Sequence, residues 1–334
     1  IINMLFQINP SFTKKNQLKL NLSKNLVNQN FKLCFSLVYS IQSIEGAEIV
    51  NQTGRYYEIT IQKNTVLIDL QIPRIGSYNM SCGPEGAFII DDNNNYIKAD
   101  VSDLKFEYEI ADVKYDQSTI DDFIPIIPEP QKFVFKKDFV EINNKTFKLV
   151  NDSDIIKCTF QYTDKLGIIF SNNNGFPIYF IENNYKEDEY SLEISKDKIQ
   201  IFYKNYGGKL YGIITLIQLI DFYKNQLPIC KIDDKPKYSW RGMHLDCARQ
   251  FYSIDEIKRI LDYMALFKIN RFHWHLTDNE AWRIEIKSFP NLIKFGSYRG
   301  YNMTVPPFYG SGYEKYGGYY SHEDIKNLIL YAKN

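Results

Sequence analysis

Trp240-Arg-Gly-Met-His-Leu-Asp246, then Ser253-Ile-Asp-Glu256 opening a run to Phe267, then Arg271-Phe-His-Trp-His-Leu-Thr277, read as strand, helix, strand. The first stretch is short and rich in apolar residues. Ser253 and Glu256 have capping-box spacing, in which a hydroxyl takes a free helix-start amide and the carboxylate reaches back. Ile257, Ile260, Leu261, Met264 and Phe267 follow at helical intervals. A second helix is predicted over Ser321–Ala332, with Ser321 and Asp324 at its start. Two strand-helix units in succession fit a parallel sheet or a (β/α)8 barrel. About 99 residues follow Lys235, whereas a complete barrel takes roughly 250. On the barrel reading, residues 234–334 would be the first two units of a (β/α)8 TIM barrel, incomplete as they stand.

Upstream the rhythm differs. Residues 1–122 carry alternating runs, Lys32-Leu-Cys-Phe-Ser-Leu-Val-Tyr39, Tyr56–Ile61 and Leu104–Ile110, separated by Gly54, Pro73, Gly76 and Gly83-Pro84. Period-two patterning between turn residues predicts an antiparallel β-sandwich. A charged stretch, Asp112 to Asp122, leads into Ile124-Pro-Ile-Ile-Pro-Glu-Pro130, whose prolines remove backbone donors and favour an extended path. A domain boundary is expected there. Strand-like runs follow at Lys132–Phe135, Leu166–Phe170, Tyr190–Ile194 and Lys198–Tyr203. Lys209–Tyr223 is apolar on several sides and reads as a helix buried against a sheet. Residues 123–233 thus form an expected small α+β domain, giving a multidomain chain of three parts.

Composition narrows the function classes. Forty basic and forty acidic residues among 334 cancel, so no global field draws nucleic acid or an anionic membrane. A neutral polyol is compatible with that balance. Aromatic residues make up 16%, with 26 Tyr and 23 Phe, a composition suited to sheet faces and to stacking on sugars. The five cysteines, Cys34, Cys82, Cys158, Cys230 and Cys247, include no C-x-x-C pair, which argues against zinc ribbons and thioredoxin-type sites. No apolar run approaches the roughly 20 residues of a membrane span. Ile1 to Pro10 lacks the basic flank of a signal peptide. Sequons at Asn51, Asn144 and Asn302 are expected by chance in so Asn-rich a chain.

In a barrel of this type the carboxyl ends of the strands build the site. Asp246 and Arg249 follow the first predicted strand, and Asp278 follows the second, so two strands deliver polar groups to one rim. Arg presents a rigid fork of donors that can bridge adjacent pyranose hydroxyls, and a carboxylate can accept from a hydroxyl or orient an imidazole. An ordinary Arg249–Asp246 ion pair is the bland alternative. Trp240, Trp274 and Trp282, and three of the four histidines, fall in this segment. Core packing is expected for Trp240 and Trp274. Trp282 is the better candidate for the site, although Arg283-Ile-Glu-Ile286 alternates like a small hairpin able to bury it. His273 and His275, two apart on a strand, face one side and could chelate a metal. That spacing makes a metal-dependent (β/α)8 hydrolase the alternative, while a supporting role without metal is the expectation.

Taken together, Arg241-Gly-Met-His-Leu-Asp-Cys-Ala-Arg249, Asp255 to Asn270, His273-Trp-His-Leu-Thr-Asp278, Trp282-Arg-Ile-Glu-Ile286 and Tyr319-Tyr-Ser-His-Glu-Asp-Ile325 resemble the first two barrel units of glycoside hydrolase family 20, the β-N-acetylhexosaminidases. More weakly, Pro128 to Tyr223 is similar to the α+β domain before that barrel, and residues 1–122 to the amino-terminal β domain of bacterial members. The resemblance implies an exo-acting glycosidase for a terminal N-acetylglucosamine or N-acetylgalactosamine, retaining and substrate-assisted, without metal or organic cofactor. Its partner would be a glycan bearing that sugar, and its site of action extracytoplasmic. It also implies that Arg249 binds the 3- and 4-hydroxyls and that Asp278 orients a His and the acid Glu. His275, Asp246 and Trp282 would support that rim, and Arg241 would brace the barrel floor. Asp278-Asn279-Glu280 departs from the family's usual two acidic residues, often followed by Gln. No catalytic residue is expected within the chain, because the acid Glu and the acetamido-orienting Asp would lie beyond Asn334. Residues 1–334 alone are thus expected to show no turnover. A non-catalytic glycan-binding protein using its β domain is the third reading.

Overall fold

The computed structural model describes residues 6–23, 27, 31–72, 83–108, 124–151 and 161–333. The expected boundary within Asp112 to Asp122 lies outside the described residues, as do Cys82 and Cys158.

Alternation in the first part becomes one curled sheet. Its strands are β1 (Phe6–Lys14), β2 (Gln17–Leu22), β3 (Lys32–Ser36), β4 (Ile41–Glu45), β5 (Ala47–Thr53), β6 (Tyr56–Ile61), β7 (Thr65–Leu70), β8 (Glu85–Ile90), β9 (Tyr96–Val101) and β10 (Lys105–Phe106). They run in the order β4-β7-β2-β1-β9-β8-β3-β6-β5, with β10 on β1. β4 and β5 stand at opposite ends of that order, yet only Gly46 separates them in the chain. The two ends must therefore meet, and the sheet wraps around one core. Phe6, Ile8 and Phe12 share that core with Leu33, Tyr57 and Ile59 from the other half. Gly46 has φ +85°, and a Cβ there would lie 2.5 Å from the Thr65 carbonyl oxygen, so only glycine makes the turn without strain. The pairing is not purely antiparallel as patterning predicted, since β1 runs parallel to β9 and β10.

The second sheet joins β11 (Lys132–Glu141), β12 (Thr146–Leu149), β13 (Ile169–Ser171), β14 (Phe176–Glu182), β15 (Tyr190–Ile194), β16 (Ile199–Tyr203) and β17 (Gln226–Asp234) in the order β11-β17-β15-β16-β14-β12-β13. Leu166 does not begin a strand as predicted. It ends helix α1 (Gln161–Leu166), and Gly167 at φ +66° turns the chain into β13. The predicted buried helix is α2 (Tyr206–Tyr223), capped by Asn205, whose side chain accepts from Gly208 N. Leu216, Ile217 and Ile220 pack it on Leu192, Ile201 and Ile232.

The strand-helix-strand reading gives β18 (Gly242–Asp246), α3 (Ile254–Leu266) and β19 (Arg271–His275). Arg271 N donates to Arg241 O, and Cys247 N donates to His275 O. Both partners advance together along the chain, so the strands are parallel, as a strand-helix-strand crossover requires. Both halves of the capping box form at Ser253 and Glu256. Beyond lie β20 (Thr277–Asp278), β21 (Ala281–Trp282), α4 (Asn291–Gly296), β22 (Tyr298–Arg299), β23 (Tyr316–Gly317) and α5 (His322–Lys333). The hairpin pairs β20 with β21, one step before the predicted Arg283–Ile286. Ile284 instead bridges to Tyr320.

Contacts divide the chain into two compact units. One holds the curled sheet with 246–252 and 274–325; the other holds the second sheet with 253–273 and 326–334. No helix among the described residues is long and apolar enough to cross a membrane. In the second unit Lys268 is 6% exposed, and its Nζ donates to Asp234 Oδ2 and Tyr190 Oη at 2.8 Å each. Asp234→Ala strands that ammonium and should cost about 3–5 kcal/mol, against about 1 kcal/mol for the cap variant Ser253→Ala. Urea denaturation of both variants checks the order, and equal losses would contradict it.

Candidate active site

Chain direction brings the polar groups to the ends of β18 and β19. At the end of β18, Asp246 Oδ1 accepts from the amides of Ala248 and Arg249, each at 3.0 Å. Its Oδ2 lies 3.3 Å from Arg249 Nε. One carboxylate thus shapes the turn and holds the guanidinium that follows it, leaving the Arg249 side chain 57% exposed for a ligand. At the end of β19, His275 Nε2 lies 3.2 Å from Asp278 Oδ2. Asn279 N donates to Asp278 Oδ1 at 2.7 Å. That amide holds the Asp278 carboxyl below its ordinary 3.8; desolvation opposes it, and His275 and Glu280 add to the lowering.

Arg249 lines a cavity of about 380 Å³ with Asn279, Glu280, Phe308 and Tyr309, within the roughly 300–1,000 Å³ of small-molecule sites. Tyr309 donates to Glu280 Oε1 at 2.8 Å, and the Arg249 guanidinium stands 5.7 Å from the Tyr309 ring centre. Glu280 Oε2 is buried and without a partner among the described residues, an acceptor suited to a hydroxyl. Of the six sequence-predicted residues, Arg249 alone lines this cavity.

The others are placed as follows. Trp282 is half-buried in the β20–β21 hairpin, and its indole donates to Ile284 O at 2.8 Å, which explains its position without a sugar. Arg241, in the second unit, donates to Lys268 O and Tyr238 O and meets Asp188 Oδ2 at 3.2 Å and Tyr211 Oη at 2.9 Å, the pattern of a brace. Trp240 is 70% exposed, against the core packing expected, because it precedes β18 and carries the Arg271 guanidinium over its ring at 5.7 Å. Trp274 is half-buried, with its indole 3.1 Å from Cys247 Sγ. His273 meets His244 edge-on at 4.6 Å between ring centres.

Two acidic pairs among the described residues, Asp255-Glu256 and Glu323-Asp324, sit at helix starts. Glu256 closes the α3 capping box, and Asp324 makes the same reciprocal bonds with Ser321 at the start of α5. A third pair, Asp188-Glu189, escaped the sequence reading. Asp188 pairs with Arg241, and Glu189 accepts from Lys186 N at 2.8 Å.

With that geometry in view, residues 238–334 match the family described as glycosyl hydrolase family 20, catalytic domain. This segment is similar to the catalytic domain of glycosyl hydrolase family 20. Similar relatives are a β-hexosaminidase of Vibrio furnissii, 40% identical over 148 residues, and one of Porphyromonas gingivalis, 34% identical over 232. Those matches cover 44% and 63% of this chain, and only 24% and 29% of the relatives. A family 20 exo-β-N-acetylglucosaminidase from Vibrio harveyi, solved with N-acetylglucosamine, superimposes with TM-score 0.77 at 26% identity, over 98% of this chain and 55% of that one. The chain thus spans about a quarter of the two relatives and about half of the solved structure, and has a multidomain fold of the family 20 kind.

Two buried cations in the family 20 segment carried no sequence signal of their role. Arg283 is 0% exposed; it donates to Cys247 O at 2.9 Å, Ala248 O at 3.2 Å and Gly318 O at 3.1 Å, and also to Ser297 O. Arg299, 1% exposed, donates to Arg249 O. Burial foremost, and then the Arg283 cation, push its pKa down to about 10. Because the Asp278 pKa is depressed, its ionised contacts persist above the ordinary carboxylate range and are lost only as pH falls through the lowered value. A carboxyl-carbon NMR titration should give a midpoint below 3.8; a midpoint above it would contradict the assigned contacts.

Proposed function

We propose that the protein is an exo-acting glycoside hydrolase that removes a terminal non-reducing N-acetylglucosamine or N-acetylgalactosamine. The reading takes residues 1–122 as an amino-terminal β domain, 123–233 as an α+β domain and 234–334 as the opening of the (β/α)8 barrel. The observation that carries it is Arg249, held by Asp246 at the end of one parallel strand and exposed to a sugar-sized cavity, with Asp278 and His275 paired at the end of the next. Arg249 would donate to the 3- and 4-hydroxyls, and Asp278 would orient a His and the acid.

The reaction is retaining and substrate-assisted. The acetamido oxygen attacks the anomeric carbon while a Glu gives its proton to the departing glycosidic oxygen, forming an oxazolinium. Water then opens that ring, with the same Glu taking its proton. An acid Glu and an acetamido-orienting Asp complete the site in this reading; Asp188, Glu256 and Asp324 are engaged in other bonds. An extracytoplasmic site of action belongs to this reading and is checked by cell fractionation.

A metal-dependent hydrolase is the second reading, favoured by the side shared by His273 and His275 on β19 and the edge-on contact of His273 with His244. Bound transition metal and chelator-sensitive turnover would select it. In the full-length protein, Arg249→Ala removes charge-assisted hydrogen bonds of about 1.5–3 kcal/mol each and should lower kcat/KM on a chromogenic N-acetylglucosaminide by about 100-fold. No release of chromophore by the unsubstituted full-length protein, or a loss under threefold in the variant, would contradict the assignment.

A further inference from the structure

The curled amino-terminal sheet supplies part of the wall of the Arg249 cavity. Leu37, Gly54 and Arg55 line it together with Arg249, Glu280 and Tyr309. Gly54 and Arg55 form the turn between β5 and β6, and their approach is held by several contacts inside one compact unit. Cys34, Tyr56, Phe88 and Ile90, on the outer face of β3, β6 and β8, are buried under Tyr301, Phe308 and Tyr313. Ser36 Oγ donates to Pro307 O at 2.8 Å. Tyr96 stacks on Tyr313 with ring centres 3.8 Å apart. A Cβ on Gly54 would lie 3.0 Å from the Phe308 ring, so the absence of a side chain lets the turn reach the cavity.

Of the residues lining the cavity, Arg55 and Arg249 are cations and Glu280 is a carboxylate. Arg249 is paired with Asp246. Glu280, held by Tyr309, is the carboxylate that acts on Arg299, which lies over the same Tyr309 ring at 5.6 Å. Arg299 Nε and Nη1 are buried and have no partner among the described residues. Arg55 is exposed, and its guanidinium forms no ion pair among the described residues. Among the lining residues cations exceed carboxylates by one, and Arg55 is a fork-shaped donor suited to oxyanions. A chain neutral overall thus has more cations than carboxylates in the lining of this cavity.

We propose that Arg55 binds an anionic substituent, a sulfate or a carboxylate, on the N-acetylhexosamine held by Arg249. The proposal rests on the glycosidase reading, because Arg249 there takes the 3- and 4-hydroxyls of a sugar in the cavity that Arg55 also lines. The amino-terminal sheet then acts in substrate selection, and glycans with charged terminal sugars are the substrate class.

Calorimetry on the full-length protein tests this with N-acetylglucosamine, N-acetylgalactosamine and the 6-sulfate of each. At least one anionic sugar should bind about 10- to 100-fold more tightly than its neutral parent. Arg55→Ala should abolish that ratio, and Arg55→Lys, which keeps the charge and loses the fork, should restore part of it. An unchanged ratio in Arg55→Ala, or no preference for any anionic sugar, overturns the assignment of Arg55 and leaves the glycosidase reading intact. Binding of none of the four sugars overturns both.

Discussion

A guanidinium buried from solvent holds the rim together. Arg283 is fully buried and donates to four backbone carbonyls, two in the turn after β18 and one each at Ser297 and Gly318. Removing such a cation from water costs several kcal/mol, and multiple well-aligned acceptors are what offset it. The carbonyls depend on it equally, since a buried acceptor left unpaired costs about 1–3 kcal/mol. The carbonyls of Cys247 and Ala248 belong to the turn that delivers Arg249. Arg283 therefore ties the carboxyl end of β18 to the segments that follow β21 and β23.

Around that tie the site is assembled from short-range devices. Asp246 bends the chain and holds Arg249; Asn279 N keeps Asp278 ionised and set against His275. Tyr309 arrives on a long connection between β22 and β23 that would have little support of its own. Its support is the aromatic seat on the outer face of β3, β6 and β8. The amino-terminal sheet thus has two faces with two tasks. The inner face packs one core, and the outer face steadies the loop that carries Phe308 and Tyr309.

The legible parts of the fold were those governed by local rules. The α3 capping box, the parallel β18 and β19, the buried α2 and the approach of Arg249 to Asp246 all follow from spacing along a few residues. Closure of the first sheet was not legible, because the meeting of β4 and β5 depends on pairings across the whole domain and on Gly46. Trp240 was misread because its place just before the strand, outside the packed face, depends on where β18 begins. Arg283 and Arg299 gave no signal for a similar reason. An arginine in a polar-looking run is ordinarily solvated, and nothing nearby in sequence says that distant carbonyls will surround it. Arg55 and Tyr309 meet Arg249 across more than 190 and about 60 residues respectively, beyond any local pattern.

Amide hydrogen exchange in Arg283→Met tests most directly whether this buried cation holds the rim. The variant keeps an apolar stem in place and removes only the donors. Exchange should accelerate at Cys247, Ala248 and Arg249, whose amides are bonded to His275 O and Asp246 Oδ1, while protection in the second sheet stays as it was. Unchanged protection at those three amides would contradict the account.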